Sequence, residues 1–483
     1  MATLIPKFKQ SGTGAVNRDI SLKLAETVSV KDFGAVGNGV ADDTAAIQAA
    51  HNASYRVYYP NGTYNVTGNI TIRTGTYIEG SGAGQTLISL SAAMVGAEDA
   101  VYKLLVTDFV NQQGGLTVSN IFINGQNRFG HGFFLQNVRF PVFENVWIFN
   151  FDGSAIVYDY CEEGYADFLN INGCGRTSGD PNVTANTTYG QITFAKTASA
   201  LGNNNFLRFN DCTVANGRCS GDFFVKTEFA SRIYIENTQS EVSGASVGNR
   251  DWLAANGRGA IFFVNGCDID GYRTVFANAE YVELYASNIR CAASTNFLTA
   301  ANGTASAKIS NCIGSNITTT SVGGYLIENS VFTNLTFNFI AGKNIVNGVV
   351  ATSLTIADVG AAANLIVCDS NFSGNFTSTL NVAIPIRASN VIIGGNLSIS
   401  SNSGIFVDTV TTGTAYVSPD NYYQPTQYRT IQILSGTAAP TTGYYKVGSI
   451  VYNTAPTAGG TIGFVCTAEG SPGTWKTFGA ISA

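Results

Sequence analysis

The sequence predicts an all-β parallel β-helix, and two observations lead to that prediction. Only 12% of the 483 residues are charged, whereas the chain contains 53 Gly, 30 Phe and 22 Tyr. A helical protein of this length would carry more Glu, Lys, Arg and Leu. In addition, short alternating strands end at an Asn that recurs at intervals of 23 to 28 residues through the middle of the chain. A period of this size, with strand-type residues, is typical of a β solenoid.

The repeat defines the expected rungs of the solenoid. One rung is too small to bury its own apolar face, so rungs must stack about 4.8 Å apart with like residues aligned. Asn suits the end of each strand because it tolerates the left-handed backbone conformation of a tight corner. Strands of this kind end at Asn120, Asn145, Asn210, Asn237, Asn265, Asn288, Asn311, Asn329 and Asn390.

Residues 28–64 are expected to close the first end of the solenoid. A glycine-rich turn leads to Asp42 and Asp43, either of which can cap a short helix near residues 42–51. The helix has only a small apolar stripe and is too short to be stable alone. We therefore expect it to sit on the end of the sheets.

This segment resembles the entry module of pectate-lyase-like right-handed parallel β-helix proteins, especially bacteriophage tailspikes. The matching stretches are DFGAVGNG at 32–39, DDTAAIQ at 42–48 and YYPNGTY at 58–64, with Asn38 in place of the usual Asp. The resemblance implies a right-handed β-helix that assembles as a homotrimer. It also implies a virion protein whose arm at residues 1–30 attaches to a phage tail or baseplate protein.

The remaining boundaries follow from composition and from the same resemblance. The β-helix is expected to span residues 31–415, and a Pro- and Tyr-containing break predicts a linker at 416–430. Residues 431–483 resemble the small terminal β module of many phage tailspikes and fibres. In that family the module would help to trimerise the spike or would contact glycan.

Charge and hydropathy argue against several classes of partner. A net charge of −6 leaves no basic stripe to neutralise phosphates, so nucleic acid is not the expected partner. The apolar runs are short and broken, which argues against membrane insertion. The first residues lack the apolar core of a signal peptide, so we expect synthesis in the host cytoplasm without export.

The nine cysteines are expected to be buried thiols rather than disulfides or metal ligands. Several occupy a repeated position just after an Asn, as small apolar residues stacked inside a solenoid would. Metal-binding spacings and dense acidic clusters are missing from the sequence. We therefore expect no metal and no cofactor. The cysteines that follow an Asn in this way are Cys174, Cys212, Cys267 and Cys312.

Candidate catalytic residues lie on strands of the middle rungs. In the run CDID at 267–270, the apolar residues face inward, so Asp268 and Asp270 face outward together. Glu241 is expected beside Asp268 on the neighbouring rung, because both follow a turn Asn by three or four residues. Glycoside hydrolysis requires two carboxylates, which makes Glu241, Asp268 and Asp270 the predicted catalytic residues.

A break in the repeat at residues 244–258 predicts an insertion beside these carboxylates. Insertions project from a solenoid and form the walls of binding grooves. This one carries Arg250, Asp251 and Trp252, and the indole of Trp252 is expected to stack on a sugar ring. Together with Arg290, expected one rung after Asp268, these are the predicted substrate-binding residues.

The function implied by the resemblance is that of a phage tailspike that binds the host's capsule or O-antigen and cleaves its glycosidic bonds. Outward aromatic residues at Trp147, Phe149 and Phe151 would then be covered in the homotrimer. The carboxylates can instead form a surface ladder of salt bridges with Arg290. A non-catalytic receptor-binding or structural tail protein is therefore the alternative. A bacterial polysaccharide lyase is disfavoured by the missing export signal.

Overall fold

The structure, a computed structural model, is a right-handed parallel β-helix, which confirms the fold class predicted from the repeat. The chain divides into two compact units, residues 1–318 and 319–483, and each is described by itself. The structure describes residues 6–94, 96, 98–106, 115–175, 190–195, 204–217, 221–225, 230–241, 251–255, 261–278, 283–291, 294, 296–300, 306–319, 324–338, 343–356, 364–378, 385–389, 391–393, 397–399, 404–407, 410–412, 433–442, 445–470 and 472–482.

Three parallel sheets form the β-helix of the first unit. Most rungs contribute one strand to each sheet, and like positions pair in register. The first sheet contains Val28–Ser29, Arg56–Tyr59, Thr76–Gly80, the first halves of Leu116–Arg128 and Pro141–Phe151, Tyr165–Asp167, Asn204–Asn210, Ala230–Glu236, Ile261–Asn265, Glu283–Ser287 and Ser306–Ser310.

The other two sheets follow around each rung. The second sheet contains Asn38–Asp42, Gly62–Val66, Thr86–Leu90, the second halves of Leu116–Arg128 and Pro141–Phe151, Asn170–Asn172, Thr213–Ala215, Gln239–Glu241 and Asp268–Asp270. The third sheet contains Ile70–Thr71, Ala100–Leu105, His131–Gln136, Ile156–Asp159, Ile192–Ala195, Gly221–Val225, Asp251–Ala255, Thr274–Asn278, Asn296–Ala300 and Asn316–Thr319.

The chain passes from the first sheet to the second through a single residue in the left-handed conformation. We call these aligned residues the corner column, and their φ angles lie between 48° and 68°. Asn, Asp and Gly dominate the column because they adopt this conformation at low cost. Its members in the first unit are Asn120, Asn145, Phe168, Asp211, Asn237, Gly266, Asn288 and Asn311.

The residue that follows the corner points into the core, and in three rungs it is a buried cysteine. The thiols of Cys212 and Cys312 each donate to a backbone carbonyl two residues earlier, both at 3.2 Å. Burial raises the pKa of Cys212 and Cys267 to about 12, so these thiols stay protonated. Buried free thiols are thus confirmed among the described cysteines, of which Cys368 alone is half-buried.

Helices close the N-terminal end. The helix Thr44–Ala53 follows a 3-10 turn at Val30–Phe33. The side chain of Asp43 makes no cap bond to the helix; its carboxylate accepts from the backbone N–H groups of Val36 at 2.6 Å and Gly37 at 3.1 Å. Asp43 thereby fastens the glycine-rich turn to the start of the helix. Asp42 accepts from the N–H of Thr44 at 3.0 Å.

The closing helix packs a histidine onto the first rungs. His51 is buried, and its Nε2 lies 2.8 Å from the hydroxyl of Tyr59, which also accepts from the hydroxyl of Tyr102 at 2.9 Å. Since the hydroxyl oxygen of Tyr59 accepts a hydrogen bond from Tyr102, its own O–H is free to donate to Nε2 of His51, and the imidazole must be neutral to accept. Burial accordingly lowers the pKa of His51 to about 3.

The first unit begins with a small antiparallel pair, Lys7–Phe8 with Arg18–Asp19, followed by the helix Ile20–Leu24. No side chain of this helix is buried. None of the helices in the described residues has the length and apolar character that crossing a membrane would require.

The second unit also contains parallel rungs, and it ends in a separate four-stranded sheet. Its rungs comprise Tyr325–Glu328, Val331–Phe337, Lys343–Asn347, Val350–Ile356, Asn364–Cys368, Asn371–Phe372, Phe376–Ser378, Pro385–Ser389, Val391–Ile393, Leu397–Ile399, Gly404–Val407 and Val410–Thr412. The final sheet comprises Ile433–Gly436, Ile450–Asn453, Thr461–Ala468 and Thr474–Ala480.

Replacing His51 with Gln should make the protein less sensitive to mild acid. As the pH falls below 6.5, the unfolded chain binds a proton at His51 that the folded chain does not bind until about pH 3. The parent protein therefore loses stability across this window, by about 2 kcal/mol at pH 5 from this group. Urea unfolding at pH 7 and pH 5 measures the effect. Equal losses in parent and His51→Gln proteins would contradict it.

Candidate functional site

A ladder of aromatic side chains runs along the outer face of the first sheet. The rings of Tyr234 and Phe263 are parallel within 11° with centroids 4.8 Å apart, and Phe263 and Tyr285 repeat this geometry within 10°. The guanidinium of Arg208 lies 5.3 Å from the ring centre of Tyr234. Because each inner ring face is covered by a neighbour, the ladder stabilises the stacking of rungs and presents ring edges to solvent.

A groove opens beside Arg208, at the end of this ladder. Its volume is about 420 Å³, and it combines aromatic rings with a carboxylate and a guanidinium. Such a mixture suits a sugar, because rings pack on apolar C–H faces while charged groups bind hydroxyls. The groove is lined by Glu163, Gly164, Tyr165, Phe206, Arg208 and Tyr234.

Carboxylates flank the groove on the same sheet. The side-chain amide of Asn210 donates to Asp167 at 3.0 Å and to Asp211 at 2.8 Å, so it holds the two carboxylates close together. Glu236 lies one rung later and is 3.5 Å from the guanidinium of Arg208. The pKa of Tyr165 is raised, mainly by burial and then by the charge of Asp167. This edge of the groove therefore carries a negative field.

Sequence reasoning missed this groove. Its lining residues come from rungs that are far apart in the chain, so no local motif contains them. The available signal was alternation, since Arg208 and Tyr234 occupy outward positions between inward apolar residues. Alternation does not show which outward residues of different rungs become neighbours.

The predicted catalytic carboxylates lie on the second sheet. Glu241 is exposed and pairs in register with Asp270, whereas Asp268 pairs with Gln239. The expected neighbour of Glu241 was Asp268, and that pairing is wrong. The reason is that Gly266, and not Asn265, occupies the corner column of this rung. Counting from the true corner places Glu241 and Asp270 at equivalent positions.

Asp268 is engaged in an ion pair. Its Oδ2 lies 2.6 Å from a guanidinium nitrogen of Arg290, which sits one rung later as expected. The hydrogen bond that Arg290 donates to Asp268 raises the pKa of Arg290. Both side chains are substantially exposed, so the pair resembles a rung of the salt-bridge ladder that was the alternative reading of these residues.

The prediction of an insertion loop at Trp252 is wrong for the part of the segment that the structure describes, residues 251–255. Asp251–Ala255 is a strand of the third sheet, paired with Gly221–Val225 and Thr274–Asn278. The Trp252 side chain is fully buried, and its Nε1 donates to the hydroxyl of Ser240 at 2.8 Å. Burial of this large apolar ring among core aromatics prevents it from stacking on a sugar.

Asp251 is also unavailable as a loop residue. It is buried, and its carboxylate accepts from Arg273 at 3.0 and 2.6 Å. The predicted substrate-binding role of Asp251 is therefore wrong, since both oxygens are already paired. Arg250 lies outside the described residues.

Of the three aromatic residues predicted to face outward on Pro141–Phe151, only two do. Trp147 and Phe149 are half-buried on the outer face and pack against Phe122 at centroid distances of 5.9 and 4.9 Å. Phe151, however, is fully buried. Asn150 adopts the left-handed conformation with φ of 60°, and this corner turns the next side chain inward.

Replacing Trp252 with Phe should lower stability without changing polysaccharide binding. The change removes the bond from Nε1 to Ser240 and part of a core ring, at a cost of about 1–3 kcal/mol. Ser240→Ala should cost a similar amount because it leaves Nε1 buried and unpaired. The double variant should lose less than the sum of the two. If Trp252→Phe instead kept the stability of the parent and lost polysaccharide binding, Trp252 would contact sugar as first predicted.

The chain is similar in sequence to a family of polysaccharide-related proteins and to part of a phage protein. The model of the family described as "Rhamnogalacturonase A/epimerase, pectate lyase-like" matches residues 27–273. Mannuronan C5-epimerase AlgE5 of Azotobacter vinelandii is 50% identical over 74 residues, which are 13% of this chain and 7% of that protein. The pre-neck appendage protein of Bacillus phage phi29 is 25% identical over 203 residues, covering 33% of this chain and 24% of that protein.

Among solved structures, tailspike protein 3 of bacteriophage CBA120 is similar with a TM-score of 0.38 and 13% identity, over 99% of this chain and 73% of that one. The chain spans less than a tenth of the epimerase and about a quarter of the phi29 protein. The match to the family model is broader, since it extends over just over half of the chain. The chain therefore belongs to the rhamnogalacturonase A/epimerase, pectate lyase-like family.

Proposed function

We propose that this chain is a phage tail protein that binds and cleaves a surface polysaccharide of the host, a capsule or an O-antigen. The observation that carries the binding proposal is the groove in which Tyr165 and Phe206 lie beside Glu163 and Arg208. The name of the family points to enzymes that act on polysaccharides, and the phi29 relative is a phage appendage protein. Both names support the proposal that the groove binds sugars.

Cleavage is proposed for the carboxylates of the second sheet. Glu241 and Asp270 occupy equivalent positions on neighbouring strands, which lie about 4.8 Å apart in a sheet. That spacing is close to the roughly 5–5.5 Å between the two carboxyl groups of retaining glycosidases. One residue would protonate the leaving oxygen and the other would attack the sugar. Asp268, held by Arg290, is the weaker candidate, and Arg290 would contact substrate.

The second candidate is a receptor-binding tail protein without enzymatic activity. The ion pair between Asp268 and Arg290 favours it, because a carboxylate neutralised at 2.6 Å is a poor acid or nucleophile. In that case the groove would hold polysaccharide during adsorption, and the second-sheet carboxylates would only keep the outer surface solvated.

The location in the virion and the assembly are part of the same proposal. Residues 1–30 would attach the protein to a tail or baseplate protein, residues 31–415 would form the glycan-binding β-helix, and residues 431–483, after a linker at 416–430, would trimerise it or contact glycan. The exposed apolar side chains of Leu22 and Leu24, on a helix that buries none, suit an attachment surface. A homotrimer would cover the half-buried cluster of Phe122, Trp147 and Phe149.

Incubation with polysaccharides tests the proposal. The probes are mannuronan, rhamnogalacturonan and a panel of purified bacterial capsules and O-antigens, and chain length is followed by size exclusion together with ultraviolet absorbance. We expect one polysaccharide to be shortened without new absorbance, as hydrolysis requires. Glu241→Gln and Asp270→Asn should each reduce the rate at least about a hundredfold, because each removes an acid, base or nucleophile.

Asp268→Asn is the matched control for the catalytic pair. It lies on the same strand as Asp270 and should retain most of the activity, while all three variants should still bind the polysaccharide. New ultraviolet absorbance in the products would indicate β-elimination and would contradict the catalytic assignment. Polysaccharide that stays intact but co-elutes with the protein would favour the receptor-binding alternative.

A further inference from the structure

Phe168 is an exception within the corner column. Every other member of the column in the first unit is Asn, Asp or Gly, yet Phe168 adopts the same conformation with φ of 50°. A bulky side chain is disfavoured there because its Cβ crowds the backbone. The ring is also 61% exposed, so it gains little from burial. The protein therefore tolerates two unfavourable features at one residue.

Among the described residues, no ring or guanidinium contact accounts for the conformation of Phe168. Phe140 and Phe206 are also exposed and left-handed, but guanidinium groups lie over their rings at 5.3 Å from Arg139 and 4.6 Å from Arg232. Within the part of the chain that the structure describes, the ring of Phe168 has no such partner. Residues held in strained conformations without a structural reason concentrate at ligand-contact sites.

Phe168 shares a rung with the groove. The strand Tyr165–Asp167 runs from Glu163, which aligns with Phe206 of the next rung, directly to Phe168. Residues 163 and 168 are separated by about 16 Å along an extended chain. Phe168 thus stands at one end of this strand and Phe206 stands beside the other end, one rung later, with Tyr165 and Asp167 between them along the strand. We call the outer surface between these two rings the trough.

The charges around Phe168 restrict the ligand. Asp167 precedes it, Asp211 occupies the corner one rung later, and Glu144 is the outward residue before the corner one rung earlier. The corner column itself carries no cationic side chain among its described members. A uronic acid would be repelled by these carboxylates, whereas the hydroxyl groups of a neutral sugar can donate hydrogen bonds to them.

We propose that Phe168 is a glycan-contacting residue that packs on the apolar face of a neutral sugar, opposite Phe206 across the trough. The inference rests on the proposed function and deepens it, because it names the class of sugar and the residue that selects it. The ring is 61% exposed at the corner, so a ligand on the outer surface can reach it.

Phe168→Asn gives a test in which stability and binding move in opposite directions. Asn is the commonest residue of the column, so the variant should unfold at a temperature about 1–2 °C higher than the parent. Its affinity for a neutral bacterial polysaccharide, measured on an array of neutral and anionic capsules and O-antigens, should fall about three- to tenfold. Phe206→Ala should weaken binding to the same polysaccharide.

Val331→Asn is the matched control, since Val331 is exposed and apolar but lies on a strand with ordinary φ. This variant should not raise the unfolding temperature, and it should not change the affinity for the polysaccharide. If the parent binds a polysaccharide and Phe168→Asn binds it with the same affinity, this inference is overturned and the proposed function still stands. Binding only to anionic polysaccharides would overturn the sugar class and the inference with it. A parent that binds no probe would overturn both.

Discussion

The structure depends on in-register stacking of rungs about 4.8 Å apart. Each rung can bury its apolar side chains only if the rungs before and after it turn at the same place. The corner column meets this requirement with one left-handed residue per rung, and neighbouring corners are linked by side-chain bonds such as that from Asn145 to Asn120 at 2.8 Å. Three buried cysteines, Cys212, Cys267 and Cys312, reflect the same constraint, since the residue after the corner is always inward.

Stacking also determines what the outer surface can bind. Where aromatic residues align, as at Tyr234, Phe263 and Tyr285, the rings stack on one another and their faces are no longer accessible. A groove forms where Arg208 interrupts the alignment of aromatic residues between Tyr165 and Tyr234. The same regularity that stabilises the β-helix thus leaves ring faces accessible only where the column pattern breaks. Phe168 is such a break in the corner column.

The candidate site shows how far residue patterns alone could be used. Alternation placed Asp268 and Asp270 together on the outer face, which the structure bears out. Their partners were harder to predict, because the corner lies at Gly266, one residue after Asn265, and Glu241 therefore pairs with Asp270 and not with Asp268. Asn150 similarly turns Phe151 into the core. A change of one residue at a corner alters every neighbour that follows.

The sequence by itself determined the fold class, the repeating corner, the closing helix and the free thiols, because these depend on local alternation, turn chemistry and a motif contained within about forty residues. Only the tertiary structure decided which outward side chains meet. The groove joins Tyr165, Phe206 and Tyr234 from different rungs, and Trp252 is buried because the rungs on either side of its strand surround it. Such neighbours are fixed by the register between rungs, and register depends on packing across the whole stack rather than on any local run of residues.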